Sequence, residues 1–390
     1  MRLTGTVAMG VRLPIISPGD DLVDIVSKHI LAVAKENGGD LRADDIVAVT
    51  EAVVAKAEKN FADVSDIAAD VQKKFGDEEI GLVYPILSRN RFLNILKGVA
   101  MHGRKVHILM SYPNDEVGNP IMDIEKLDEA NDKIRGRMVM ADEFQAVAGV
   151  YKHNFTDVDY VKLYEEAGDN VRIYFSNDPR DILKLTKNVL VAEIHNRERT
   201  KIRLVKAGAK KAFTLSDILS ASVNGSGFNP QYGVLGSNLS TETTLKLFPA
   251  KAREFVDAVQ SRLKEAAGVA PEVLVYGDGA FKDPVCGIWE LADPVVSPGY
   301  TKKLGGRASE IKMKLVADAV FGDLRGEEKR AAVVQLVKTK NASPEAYREG
   351  TTPRMYADLV GSLCDLMGGS GDKGTPVVFI RGYFDDYATE

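Results

Sequence analysis

A mixed α/β chain of the α+β class, folded as two lobes, is what the sequence predicts. Helical and strand patterns alternate from end to end, as they do in α/β and α+β enzymes. A length of 390 residues at 45% hydrophobic content can bury a core too large for one small domain. No short-period repeat or low-complexity tract argues for a solenoid.

In chain order the patterns place a helix over Leu22 to Glu36, a strand over Ile46 to Val49 and a helix over Glu51 to Lys59. Val53, Val54 and Ala57 share the apolar face of that third element, which puts Glu51 and Glu58 together on the opposite edge. A helix over Phe92 to Met101 and a strand over Val106 to Met110 follow. Thr244 to Phe248 reads as a strand, and Pro249 opens a helix whose apolar face is Phe255, Val256, Val259 and Leu263. The strand beginning at Val273 completes a β-α-β unit with them, so Asp278 falls at a carboxyl strand end, where such units hold ligands. The chain closes with a helix over Asp358 to Met367 and the strand PVVFIRG. Tyr112 to Pro120 and Ser220 to Gln231, rich in Asn, Gly and Pro or Ser, read as loops.

Composition narrows the partners. Lys plus Arg at 51 against Asp plus Glu at 56 gives a net charge of -5, so no basic excess drives binding to nucleic acid or to an anionic membrane. No apolar run approaches the ~20 residues that span a bilayer, and MRLTGTVAMG lacks a signal-peptide core. Cys286 and Cys364 stand far apart, which fits a reducing cytoplasm rather than a disulfide framework. Histidines 29, 102, 107, 153 and 195 show no zinc-ligand spacing, so oxygen-ligand metals fit better.

Three places could carry chemistry. In VLVYGDGAFKDP (Val273 to Pro284) a strand runs into a turn bearing Asp278, Lys282 and Asp283, suited to a metal and a phosphate or to an ordinary Asp-Gly turn. The strand VHILMSY enters a similar acidic turn at Asn114, Asp115 and Glu116, open to the same two readings. Arg89, Arg91, Lys97, Arg104 and Lys105 flank a helix and a strand, where they could dock a polyanionic substrate or remain solvated. The glycine loop Gly368 to Pro376 follows a helix and precedes a strand, the reverse of a phosphate-binding loop. It reads as a helix C-cap with Gly368 or Gly369 left-handed, or as a glycine-rich turn whose backbone contacts a nucleotide.

The turn YGVLGSN (Tyr232 to Asn238), followed by the strand ending at Asp278, resembles paired blocks of the coenzyme F-420-0:L-glutamate ligase family, where a Gly-Val-Asp-x-Ser-Asn turn precedes a strand with an Asp-bearing turn. The opening PGDDL (Pro18 to Leu22) and DIVAVTEAVVAKAE (Asp45 to Glu58) are similar to that family's PGDDL turn and its VVTSKIVSKAEG junction. Lys56 and Glu58 match that junction position for position, whereas its first lysine is Ala52 here. Leu235 stands where the family turn has a metal-binding Asp, and a hydrocarbon cannot ligate a cation.

The resemblance divides the chain into an N-terminal family block over 1–84, an insertion over 85–205 and a C-terminal family block over 206–390. It implies a γ-glutamyl ligase working as a homodimer with GTP and Mg or Mn. L-glutamate would join a carboxylate acceptor, coenzyme F-420-0 or a related molecule, through an acyl phosphate. Lys56, Asp278 and Lys282 would be catalytic, and Glu58, Gly233, Ser237, Asn238, Gly277 and Gly279 would line the nucleotide. Arg89 and Arg91 would face substrate, with Asp278, Asp115 and Glu116 on the metal. A folate-type acceptor, or a nucleotide-binding protein without ligase activity, stays open as an alternative.

Overall fold

The structure, a computed structural model, describes residues 3–116, 118–152, 157–278, 295–307, 310–340, 355–368 and 372–389. Its strands are β1 (Val7–Val11), β2 (Ile46–Thr50), β3 (Phe61–Asp63), β4 (Ile80–Val83), β5 (Val106–Met110), β6 (Val139–Met140), β7 (Val171–Phe175), β8 (Asn188–Val191), β9 (Lys211–Thr214), β10 (Asn238–Leu239), β11 (Thr244–Lys246), β12 (Glu272–Asp278), β13 (Val295–Tyr300) and β14 (Val377–Arg381). The helices are α1 (Leu22–Glu36), α2 (Glu51–Ala57), α3 (Val64–Phe75), α4 (Arg89–Ala100), α5 (Ile124–Ile134), α6 (Ala141–Ala148), α7 (Tyr160–Glu165), α8 (Arg197–Lys206), α9 (Ala252–Ala267), α10 (Met313–Leu315), α11 (Gly326–Lys338) and α12 (Tyr356–Met367). The chain is mixed α/β of the α+β class, with both parallel and antiparallel pairing. Among the described residues no helix is long and apolar enough to cross a membrane.

Two compact units divide it: residues 1–57 with 251–390, and residues 58–250. The stretch 85–205 lies wholly inside the second.

The first unit is built on a sheet ordered β1-β14-β2-β12-β13, in which only β2 and β12 run parallel. Strand side chains alternate between the faces. Val47, Val49, Val273, Val275, Val377 and Phe379 point to one face, covered by the apolar stripes of α1 and α9. Ile46, Ala48, Leu274, Tyr276, Val378 and Ile380 point to the other, where α12 supplies Ala357, Val360 and Cys364. Each fully buried Val, Leu or Ile in these layers contributes roughly 1.5–3 kcal/mol.

α1 starts where PGDDL places it, because the Asp21 carboxylate accepts from the Asp24 amide at 3.0 Å. α9 buries the predicted stripe of Phe255, Val256, Val259 and Leu263, but it begins at Ala252, past Pro249. Its partner strand differs as well. β11 pairs with β3 and β10 in a separate three-stranded sheet, so Thr244 to Phe248 is not the first strand of a β-α-β unit with β12. The parallel neighbour of β12 is β2, more than 200 residues earlier in the chain, a pairing that no local pattern can announce. Gly368 has φ −128° rather than a left-handed value, and Gly369 lies outside the described residues.

A buried ion pair closes one end of this sheet. Asp45, 1% exposed, lies 3.4 Å from Arg381 Nε, and the same guanidinium donates to the carbonyls of Asn37 at 3.0 Å and Asp40 at 2.8 Å. Burial pushes the Asp45 carboxyl up, while the Arg42 amide and the Arg381 charge pull it down. Removing one member of a buried pair strands the other, so Arg381→Met should cost about 3–5 kcal/mol. Stranded without Arg381, the carboxyl rises further, so the folded state holds a proton that the unfolded chain releases near pH 4. The deficit of Arg381→Met against wild type is therefore full above that raised value and shrinks as pH falls toward about 4. Urea unfolding of both proteins across that range checks it.

The second unit holds the small sheet β10-β11-β3 and a sheet ordered β6-β7-β5-β4-β8-β9. In the latter all strands are parallel except β6. β4 and β5 are buried at every position, as expected for strands covered on both faces.

Candidate active site

β2 passes directly into α2: Thr50 ends the strand opposite Tyr276, and Glu51 opens the helix. On β12 the chain continues past Tyr276 to Gly277 and Asp278, so the carboxyl ends of two adjacent parallel strands deliver Glu51 and Asp278 to one edge. The β12–β13 ladder shifts register between Val275 and Gly277, a bulge of the kind that re-aims a strand end.

The outward edge expected for Glu51 is not observed. Glu51 is 4% exposed, and its side chain lies across the backbone of Gly277. A Cβ at Gly277 would sit 2.1 Å from Glu51 Cγ, so glycine there makes room for the carboxylate stem. α2 stops at Ala57 because Lys59 turns left-handed at φ 60° and the chain extends into β3, which leaves Glu58 beyond the helix. Lys56 is half-buried in the last turn. The PGDDL turn is tied to this junction through the Gly19 amide, which donates to the Ala57 carbonyl at 3.0 Å. Asp20 braces the same turn by accepting from the Ser17 amide at 2.6 Å. Two separate blocks of the chain thus meet at the end of α2. For Asp278 the backbone alone is described, and Gly279 and Lys282 lie outside the described residues.

The YGVLGSN turn belongs to the second unit. Gly233 has φ 54° and is pressed against the chain at Leu215 to Ile218. Leu235 is 2% exposed and Ser237 1%, and the Ser237 hydroxyl has no hydrogen-bond partner among the described residues. Asn238 opens β10, opposite Lys246. Two asparagines that no sequence motif singles out hold this region. Asn229 accepts from the Gln231 and Tyr232 amides at 3.0 and 2.8 Å and donates to the carbonyls of Phe248 and Pro249 at 3.3 and 3.1 Å. Asn60 accepts from the Phe228 amide at 2.9 Å and donates to the Phe228 carbonyl at 3.0 Å and the Phe248 carbonyl at 2.5 Å. Asn229 is signalled in the sequence only by its polarity between Phe228 and Pro230, and Asn60, between Lys59 and Phe61, lacks even that signal.

Scanned against models of protein families, residues 10–382 match the one described as F420-0:Gamma-glutamyl ligase. The chain belongs to the F420-0:gamma-glutamyl ligase family. It is therefore a ligase that forms carbon-nitrogen bonds. A search of curated proteins finds no match.

The remaining candidates of this ligase sit in the second unit. Arg89 is exposed at the start of α4, and Arg91 stands near Glu116. Lys97 lies in the last turn of that helix, about 12 Å along its axis from Arg89, and Arg104 and Lys105 lie beyond its end. The Asp115 carboxylate closes its own turn by accepting from the Asn119 amide at 2.7 Å and from Asn119 Nδ2 at 2.9 Å. Burial, with the Asp115 charge beside it, raises the Glu116 carboxyl above its ordinary value.

No group of three His, Cys, Asp or Glu side chains suited to a metal ion occurs among the described residues. With Asp115 engaged by Asn119 and Leu235 a buried hydrocarbon, the residues described do not complete a metal shell.

Proposed function

We propose that this ligase joins L-glutamate to the carboxylate of coenzyme F420-0 or a related acceptor at the expense of GTP. The observation that carries the reading is the β2/β12 edge, where Glu51 lies across Gly277 beside the Asp278 backbone and α2 brings Lys56. A carboxylate resists attack by an amine, so it is first activated. The acceptor oxygen takes the γ-phosphoryl group and GDP leaves. The glutamate amine then attacks the acyl carbon, phosphate departs, and the amine nitrogen loses a proton. Positioning and charge neutralisation supply most of the catalysis in phosphoryl transfer.

In this reading Lys56 and Lys282 offset charge on the transferring phosphoryl group, and Gly277 and Gly279 contact nucleotide; in the second unit the resemblance assigns nucleotide contacts to Glu58, Gly233, Ser237 and Asn238. Asp278 is the proposed ligand of a divalent metal, Mg or Mn, which would screen the phosphates. The ligase works as a homodimer, as the resemblance implies, and in the cytoplasm, which the two widely separated cysteines fit.

Mass spectrometry of a panel of carboxylate acceptors, incubated with GTP or ATP, L-glutamate and Mg or Mn, tests the proposal. The expected product is the F420-0-type acceptor heavier by one or more glutamyl residues, with matching phosphate release. Glutamylation of a folate alone would move the acceptor assignment. Nucleotide binding with no glutamylated acceptor would overturn the ligase reading of the site.

A further inference from the structure

The second unit carries a ligand pocket of its own. Its parallel strands run in the order β7-β5-β4-β8-β9, with β4 first in the chain. The chain proceeds outward from β4 through β5 to β7, then returns to the other side of β4 for β8 and β9. The order therefore reverses between β4 and β8, and in doubly wound sheets that switch point opens a crevice at the carboxyl strand ends. A cavity of about 380 Å³ lies there. It is walled by Tyr84 to Leu87 after β4 and Glu193 to Asn196 after β8, with Asp115, Glu116 and Asn177 from the segments after β5 and β7.

Its chemistry is not that of a phosphate site. The turn after β4, Tyr84 to Ser88, contains no glycine to let backbone approach a pyrophosphate. The Arg91 amide at the start of α4 is taken by the Ser88 hydroxyl at 3.3 Å. Among the described residues that line the cavity there is no Lys or Arg, whereas Asp115, Glu116 and Glu193 are there, with Arg91 acting on Glu116 and Arg197 on Glu193 from outside the lining. Ile86, Leu87, Met110 and Ile194 provide apolar wall. Tyr84 stands at φ 54°, a backbone cost that the surrounding structure must impose. Its hydroxyl is buried and lacks a hydrogen-bond partner among the described residues. Burial and the charges of Glu193 and Asp178 keep that hydroxyl protonated, so it can accept from a ligand N–H without adding charge.

We propose that this switch-point pocket binds an organic cation, a primary ammonium group carried on an apolar or aromatic body. Glu193 is the carboxylate offered to the ammonium, since Asp115 is engaged by Asn119 and burial raises the Glu116 carboxyl; the Tyr84 hydroxyl accepts one of its hydrogens, and the aliphatic wall covers the body. The pocket is built wholly from residues 58–250 and does not depend on the ligase reading.

Calorimetry on the full chain tests it, with phenethylamine and 1,4-diaminobutane as probes and phenethyl alcohol, inorganic phosphate and succinate as controls. The expected result is saturable one-to-one binding of an amine that weakens with added salt, falls at least tenfold in Glu193→Gln and disappears in Leu87→Trp, which fills the cavity. Absence of amine binding would overturn the proposal. So would amine binding unchanged in both variants, or phenethyl alcohol binding as tightly as the amine. Phosphate or succinate binding that Leu87→Trp removes would show an anion site and overturn it equally.

Discussion

Asp278→Asn and Lys56→Met should each lower glutamyl transfer by at least about 100-fold, the loss typical when one preorganised electrostatic group is removed from an active site. The expectation rests on placement. Asp278 ends β12 beside the β2–α2 junction, and Lys56 lies in the last turn of α2, off the stripe formed by Val54 and the sheet. Lys56 belongs to neither of the two apolar clusters that hold α1, α9 and α12 to the sheet, and Asp278 is a polar residue at a strand end. Their replacement should therefore move stability little, within the ~0.5 kcal/mol usual for substitutions outside a core. Phosphate release with glutamate and acceptor, read beside a thermal melt, separates the roles. A large fall in melting temperature with turnover retained would assign both residues to the fold.

Gly233→Ala should be among the most damaging single changes to the second unit. Its Cβ would come 2.3 Å from the Ile218 carbonyl oxygen, 2.6 Å from that of Ser216 and 2.7 Å from that of Leu215. All three are backbone atoms, so no side chain can swing aside. The segment is also pinned, since the Val234 amide donates to the Leu215 carbonyl at 3.2 Å and the Gly233 amide to the Asn229 carbonyl at 2.9 Å. Left-handed backbone costs alanine about 1–2 kcal/mol, and forcing a methyl into a packed site about 1–3 more, for roughly 2–5 kcal/mol in all. Urea unfolding should show the midpoint falling accordingly, with hydrogen exchange rising around residues 215–235. Wild-type stability with nucleotide binding lost would instead assign Gly233 to the nucleotide.

The sequence by itself determined what depends on neighbours a few residues apart. Leu22 to Glu36 folds as the predicted helix, because its apolar stripe and the Asp21 cap are both local. Ile46 to Val49 is a strand for the same reason, as is the buried stripe of α9. The family was legible too, since PGDDL, the Lys56-Glu58 junction and the YGVLGSN turn are contiguous strings.

Tertiary structure decided which faces and strands meet. Helical periodicity sends Glu51 outward, yet the parallel pairing of β2 with β12 places Gly277 beside it, and the carboxylate stem fills the space that a side chain would occupy. The partner of β12 proved to be β2 rather than the nearby Thr244 to Phe248, because strand choice is settled by burial on both faces of the finished sheet. Asn60 holding the Phe248 carbonyl and Arg381 reaching Asp45 link residues 188 and 336 positions apart, distances over which no periodicity carries information. The switch-point cavity is the plainest case: its walls come from loops after four strands, and only the order in which those strands lie side by side brings Tyr84 and Glu193 to one crevice.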